Sequence, residues 1–192
     1  MTVPDFIPVI SRSSHAVPEQ GTCIMEMVAF FAGEEHSDHP VCVQSDLNSL
    51  AICVNDWVSD DNRNRLAMLI PDFVGSSELE TSTLIKRVQQ EVFPEYYNWF
   101  TDKESRKRHF QFLAACKYTD FEFNAVPNMI KLAAEEADPN PYTNEEWDNF
   151  MIEYLEKVMA IVRDMKADLE KEAPKFDLNY AKNHPSQAKV NV

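Results

Sequence analysis

From Cys23 to Ala32 every position except Glu26 is apolar. A run that covers the whole circumference of a helix predicts a buried one, with Thr22 as its N-cap and Gly33 as the left-handed residue that ends it. Ser45 or Asp46 caps a second helix to about Val58, its inner face formed by Leu47, Leu50, Ala51, Val54 and Trp57 or Val58. Ser59 starts a third, in which Leu66, Met68, Leu69 and Ile70 precede Pro71, and Gly75 closes this half. Ser77-Glu78-Leu79-Glu80 has the S-x-x-E form of a capping box and predicts a helix to about Val92. Pro94 breaks it, and Phe93, Tyr96, Tyr97, Trp99 and Phe100 form an aromatic cluster on a short turn. Thr101-Asp102-Lys103-Glu104 opens a helix to about Lys117, and residues 121–137 form another, loosened by Pro127.

The clearest periodicity begins at the capping box Thr143-Asn144-Glu145-Glu146. Trp147, Met151, Tyr154, Val158, Ile161 and Met165 recur at spacings of four and three, and Leu155, Val162 and Leu169 widen the stripe. So wide a face suits packing on the chain's own bundle first, and a homodimer seam through residues 143–173 second. No period-2 strand and no internal repeat is present. The expected fold is all-α: an irregular multi-helix bundle with a long C-terminal helix and flexible termini. Its parts are an arm over residues 1–20, punctuated by Pro4, Pro8 and Pro18, a single helical domain over 21–173, and a tail over 174–192. The domain divides into halves at 21–75 and 76–173.

Composition narrows the function classes. Three glycines leave neither GxGxxG nor GxxxxGK[ST], so a Rossmann or P-loop nucleotide site is not expected. The net charge of −14 falls mainly on residues 1–75 and 118–175, at −8 each. Such a surface repels phosphate backbones and favours a basic protein partner over direct nucleic-acid binding. Arg106-Lys107-Arg108-His109 is the one basic run and reads as a solvated helix face. The glutamate pairs 34–35, 135–136 and 145–146 likewise read as surface charge. There is no basic leader and no apolar stretch of membrane-spanning length, and the cysteines at 23, 42, 53 and 116 form no disulfide framework. These features predict a cytoplasmic protein with no membrane association.

Candidate chemistry concentrates in Gly21–Cys42, which carries two cysteines and two histidines. Cys23, Glu26, His36, His39 and Cys42 supply the ligand types of a zinc site, although no CxxC pair is present. A thiol reading makes Cys23 a nucleophile at the first helical position, His36 or His39 its base and Asp38 the orienting carboxylate, with Gln20 or Asn55 as a further donor. A third reading is architectural. Glu26 is then a buried acceptor for loop amides or a histidine, and Asn55-Asp56 braces the loop Glu34–Pro40. The residue types favour this third reading.

Residues Gly21–Glu26 (G-T-C-x-M-E), Gly33-Glu34, Ser37–Pro40 (S-D-H-P), Cys42, Asn55-Asp56, Leu69–Pro71 and Val74-Gly75 together resemble an uncharacterised family of bacterial and phage proteins. The resemblance covers residues 20–75, implies kinship there, and carries no activity with it. The expected function is that of a non-enzymatic, acidic helical protein that binds another protein, such as a phage or mobile-element regulator that inhibits a nucleic-acid enzyme. The alternative is a metal-binding or thiol-dependent enzyme centred on Cys23, Glu26, His39 and Cys42.

Overall fold

The computed structural model describes residues 9–92, Phe123 and residues 143–172. The predicted aromatic cluster at 93–100, the helix from Thr101, the basic run at 106–109, the rest of the helix at 121–137 and the tail lie outside these residues.

The protein is all-α. A 3-10 turn at Pro18–Gln20 leads to α1 (Ile24–Ala32) and α2 (Ser45–Trp57). Then come α3 (Asp60–Arg63), a 3-10 turn at Asn64–Leu69 and α4 (Ile70–Phe73). A second short 3-10 turn, Ser76–Glu78, precedes α5 (Thr81–Arg87), which widens into a π turn at Val88–Val92. The long helix α6 spans Asn144–Glu172. Among the described residues the only β-type pairing is an isolated parallel bridge between Ile10 and Thr22.

Several helix starts differ from the sequence expectation, each because a different side chain reaches the free amides. Cys23, not Thr22, is the N-cap of α1. Gln44 caps α2, its side-chain oxygen accepting from the Leu47 amide at 2.9 Å. Ser77 does not open α5. Glu80 does, accepting from the Ser82 and Thr83 amides at 3.0 and 2.6 Å, and these bonds hold its carboxyl down to about 2. Pro71 sits in the first turn of α4, where its missing N–H costs nothing. The box at Thr143 forms as read: Glu146 N–H donates to Thr143 Oγ1 at 3.2 Å, and Thr143 N–H to Glu146 Oε2 at 2.8 Å.

Helix α6 lies against α2, α4, α5 and the turns at Asn64–Leu69 and Val88–Val92. Met151, Tyr154, Leu155, Val158, Ile161 and Val162 are buried as the stripe predicts, and so are Phe150, Ile152 and Met159 beside it. Over that stretch the face is occupied within the chain; Leu169, 42% exposed, lies beyond it. The shared core joins α6 to Leu47, Leu50, Val54, Leu66, Phe73 and Leu84, each burial of this size stabilising by roughly 1.5–3 kcal/mol. Polar clasps fix the register. The buried Asp148 accepts from the Ser59 amide at 3.0 Å, from the Ser59 hydroxyl and from Asn62 Nδ2 at 2.9 Å. Lys166 donates to the Val74 carbonyl at 2.7 Å, and Arg163 pairs with Asp72.

Replacing Asp148 by alanine strands three donors at the α2–α6 junction, and is expected to cost about 2–4 kcal/mol in urea unfolding followed by tryptophan fluorescence. Glu145→Ala, on the exposed side of the same turn, is the control and should stay within about 0.5 kcal/mol of wild type.

Candidate functional site

The N-terminus of α1 is where the polar groups converge. Ser11 N–H donates to the Thr22 carbonyl at 2.9 Å, and Thr22 N–H returns a bond to Ser11 Oγ at 3.0 Å, so the arm lies alongside the entry to the helix. Ser13 turns the arm through a left-handed conformation (φ 68°) and donates its amide to Asp56 Oδ1 at 2.8 Å. That turn brings His15 back over Glu26.

Glu26 is only 1% exposed. Its Oε2 accepts from the Cys23 amide at 2.7 Å and faces His15 Nδ1 at 3.0 Å, while Oε1 accepts from the His15 amide at 2.5 Å. His36 Nε2 lies 3.8 Å from Oε1 and donates to the His15 carbonyl at 2.9 Å. With donors on both oxygens, Glu26 acts purely as an acceptor. His15 Nδ1 therefore carries its hydrogen towards Glu26, and Nε2 faces the Ser11 hydroxyl at 3.1 Å. Hydroxyl, imidazole and carboxylate stand in line.

Glycine at position 21 is a steric requirement. Its φ is +128°, and a Cβ there would stand 2.4 Å from Ser11 Oγ and 2.8 Å from His15 Nε2. Asn55 ties the arrangement to α2: Oδ1 accepts from the Ile24 amide at 3.2 Å, and Nδ2 donates to the Ser11 carbonyl at 2.9 Å and to Asp56 at 3.1 Å. Asn55-Asp56 thus braces the arm, not the loop Glu34–Pro40 as the sequence suggested. Behind it, the buried Arg63 donates to the Asn55 and Val58 carbonyls, both at 2.7 Å, closing the end of α2.

The five proposed metal ligands do not converge. Cys23 and Glu26 meet in a capping box, Cys23 Sγ accepting from the Glu26 amide at 3.4 Å. His39 pairs with Asp38 at 2.8 Å on an exposed loop, and Cys42 lies beside Glu34. Among the described residues no three His, Cys, Asp or Glu side chains are grouped to hold a metal ion. The thiol reading meets a second obstacle. Burial, followed by the negative charge of Glu26, pushes the Cys23 thiol up to about 12, so it is a protonated cap and not a thiolate. Cys23 also precedes the first helical residue instead of occupying it.

Sequence reasoning passed over three participants. His15 and Ser11 lay in an arm read through its prolines, although their spacing of four and the acceptor at Glu26 were the available signal. Glu34 was read as surface charge. Its carboxylate instead accepts from the Val41 and Cys42 amides at 2.6 and 2.9 Å and clamps the loop, and the Cys42 thiol together with those amides holds its carboxyl below the usual range.

No protein-family model, curated protein or solved structure matches this sequence. Of the motif residues within 20–75, Gly21, Cys23, Glu26, Asn55 and Asp56 belong to this network.

Two measurements check it. Gly21→Ala must strain the backbone and displace Ser11 and His15, and should lower stability by about 2–3 kcal/mol. The Cys23 thiol, raised in the folded state, favours folding fully below the ordinary thiol value near 9 and loses that contribution as pH rises from there towards 12. The urea midpoint should fall above about pH 9 in the wild type and less steeply in Cys23→Ser, which keeps a capping oxygen and does not titrate.

Proposed function

We propose that the protein acts by binding another protein, using the C-terminal end of α1 as its contact edge. One observation carries the reading: Phe30 and Phe31, at the end of a helix otherwise buried from Ile24 to Ala29, are 46% and 57% exposed. The sequence pattern placed Phe31 in the core; it stands outside. The two rings pack edge to face with centroids 5.5 Å apart, which presents them as one preformed apolar knob. Glu34 draws the Val41 amide to the same end, and Val41 is 85% exposed. Exposed aromatic and aliphatic side chains grouped on a rigid element are the usual anchors of a protein contact.

Charge supports a basic partner. A chain at −14 steers towards positive surfaces and away from nucleic acid, and exposed Glu35 borders the knob. A regulator of phage or mobile-element origin that covers the nucleic-acid-binding surface of an enzyme in the bacterial cytoplasm is one form of this function.

Capture from bacterial lysate by the immobilised full-length chain, read by quantitative mass spectrometry, tests it. The expected result is a basic protein whose recovery falls about tenfold or more with Phe30→Ser/Phe31→Ser and also falls as salt rises, the variant's melting temperature being unchanged. A wild-type capture profile indistinguishable from that of the double variant would sink the reading.

A further inference from the structure

The arm and the start of α1 hold a second arrangement, at the opposite end of the helix from Phe30 and Phe31 and independent of the binding function. We propose that Ser11, His15 and Glu26 form a nucleophilic relay in which the Ser11 hydroxyl attacks the carbonyl carbon of a small, uncharged carboxylic ester. The Ser11 Oγ–His15 Nε2 distance is 3.1 Å and the His15 Nδ1–Glu26 Oε2 distance is 3.0 Å. Glu26, accepting on both oxygens, draws Nδ1–H towards itself and turns Nε2 to the Ser11 hydroxyl, the place a general base occupies. The imidazole is positioned through its own backbone as well: the His15 amide bonds the same carboxylate, and the His15 carbonyl accepts from His36 Nε2.

Three further features surround the hydroxyl. Thr22 N–H, just before the N-cap of α1, donates to Ser11 Oγ at 3.0 Å and so holds the hydroxyl oxygen beside His15. Gly21 has no Cβ where one would press on both reacting atoms. Thr22 is only 3% exposed, and its hydroxyl is buried with no hydrogen-bond partner. The backbone between Ser11 and His15 holds its left-handed residue at Ser13, a non-glycine conformation of the kind that accumulates where side chains must be aimed. Ser11 and His15 are half-buried, so neither is sealed from solvent.

The step balances without a co-reactant other than water. Ser11 Oγ bonds to the ester carbonyl carbon as its proton passes to His15 Nε2. The tetrahedral adduct collapses with cleavage of the bond to the alcohol oxygen, which takes that proton and leaves as the alcohol. Water, deprotonated by the same Nε2, then releases the acid and restores the hydroxyl.

The test treats the native full-length chain with a fluorophosphonate, followed by peptide mapping, and with p-nitrophenyl acetate. The proposal expects a phosphonyl adduct on Ser11 formed about 100-fold faster than on the exposed Ser13 or Ser14, abolished by prior heat denaturation. His15→Gln should slow labelling of Ser11 to the rate seen at Ser13 and Ser14, and a burst of p-nitrophenol should appear in wild type but not in Ser11→Ala. Because the first readout uses wild-type protein, loss of folding in a variant does not blur it. Absence of a Ser11 adduct, or labelling no faster than at Ser13 and Ser14, overturns the proposal and leaves the Ser11 hydroxyl a structural donor.

Discussion

A carboxylate removed from water at the start of α1 sets the terms for the first half of this protein. Transferring such a group to the interior costs several kcal/mol unless hydrogen bonds replace its hydration. Glu26 recovers them from the Cys23 amide, the His15 amide and the His15 ring. The Cys23 amide is supplied by the helix start itself, but neither His15 donor is in place unless the arm has folded back over the helix, and the arm returns only because Ser13 turns left-handed and Gly21 leaves room for Ser11 and His15. Asn55 reaches the same point from α2 and ties the Ile24 amide to the Ser11 carbonyl. The arm, α1 and α2 are therefore coupled through one buried acceptor, and weakening any of them leaves Glu26 under-bonded.

The second half attaches by a different physics. Helix α6 contributes buried aliphatic and aromatic surface along most of its length, with few polar contacts. Those few include Asp148 with Ser59 and Asn62 near its start, and Arg163 and Lys166 with Asp72 and Val74 further along. Apolar burial is indifferent to register, whereas these bonds are not, so the clasps decide where along its axis the helix sits.

Most of the fold was legible because it depends on local rules. The Thr143 capping box, the stripe of α6, the left-handed Gly33 and the all-α class follow from spacing and from residue chemistry within a few positions. Where the reading failed, a longer side chain or a distant partner intervened. Glu80 displaced Ser77, and Gln44 displaced Ser45, because both reach amides two or three residues on. The site was half legible. Glu26 on an apolar helix announced that it needed a partner, and histidine was among the partners expected. Which histidine answers depends on the path of the arm, set by one positive φ at Ser13 and contacts made across eleven or more residues, which no local pattern encodes. The cysteines and histidines that looked like ligands by their density are instead divided among a capping box, a loop pair and a glutamate clamp.

A carboxylate gathers amides of the adjoining chain at each end of α1, and that symmetry explains why the helix can serve as a platform. At its start the Glu26 carboxylate gathers the amides of Cys23 and His15; just past its end Glu34 gathers those of Val41 and Cys42. A nine-residue helix, roughly 13 Å long, is too short to be stable alone. Here its termini are fixed by folded-back chain and its middle by complete burial. Phe30 and Phe31 are exposed on an element that has almost no freedom to move, so a partner meeting them would order little beyond the two rings themselves. A low ordering cost is what lets so small an apolar edge contribute usefully to association.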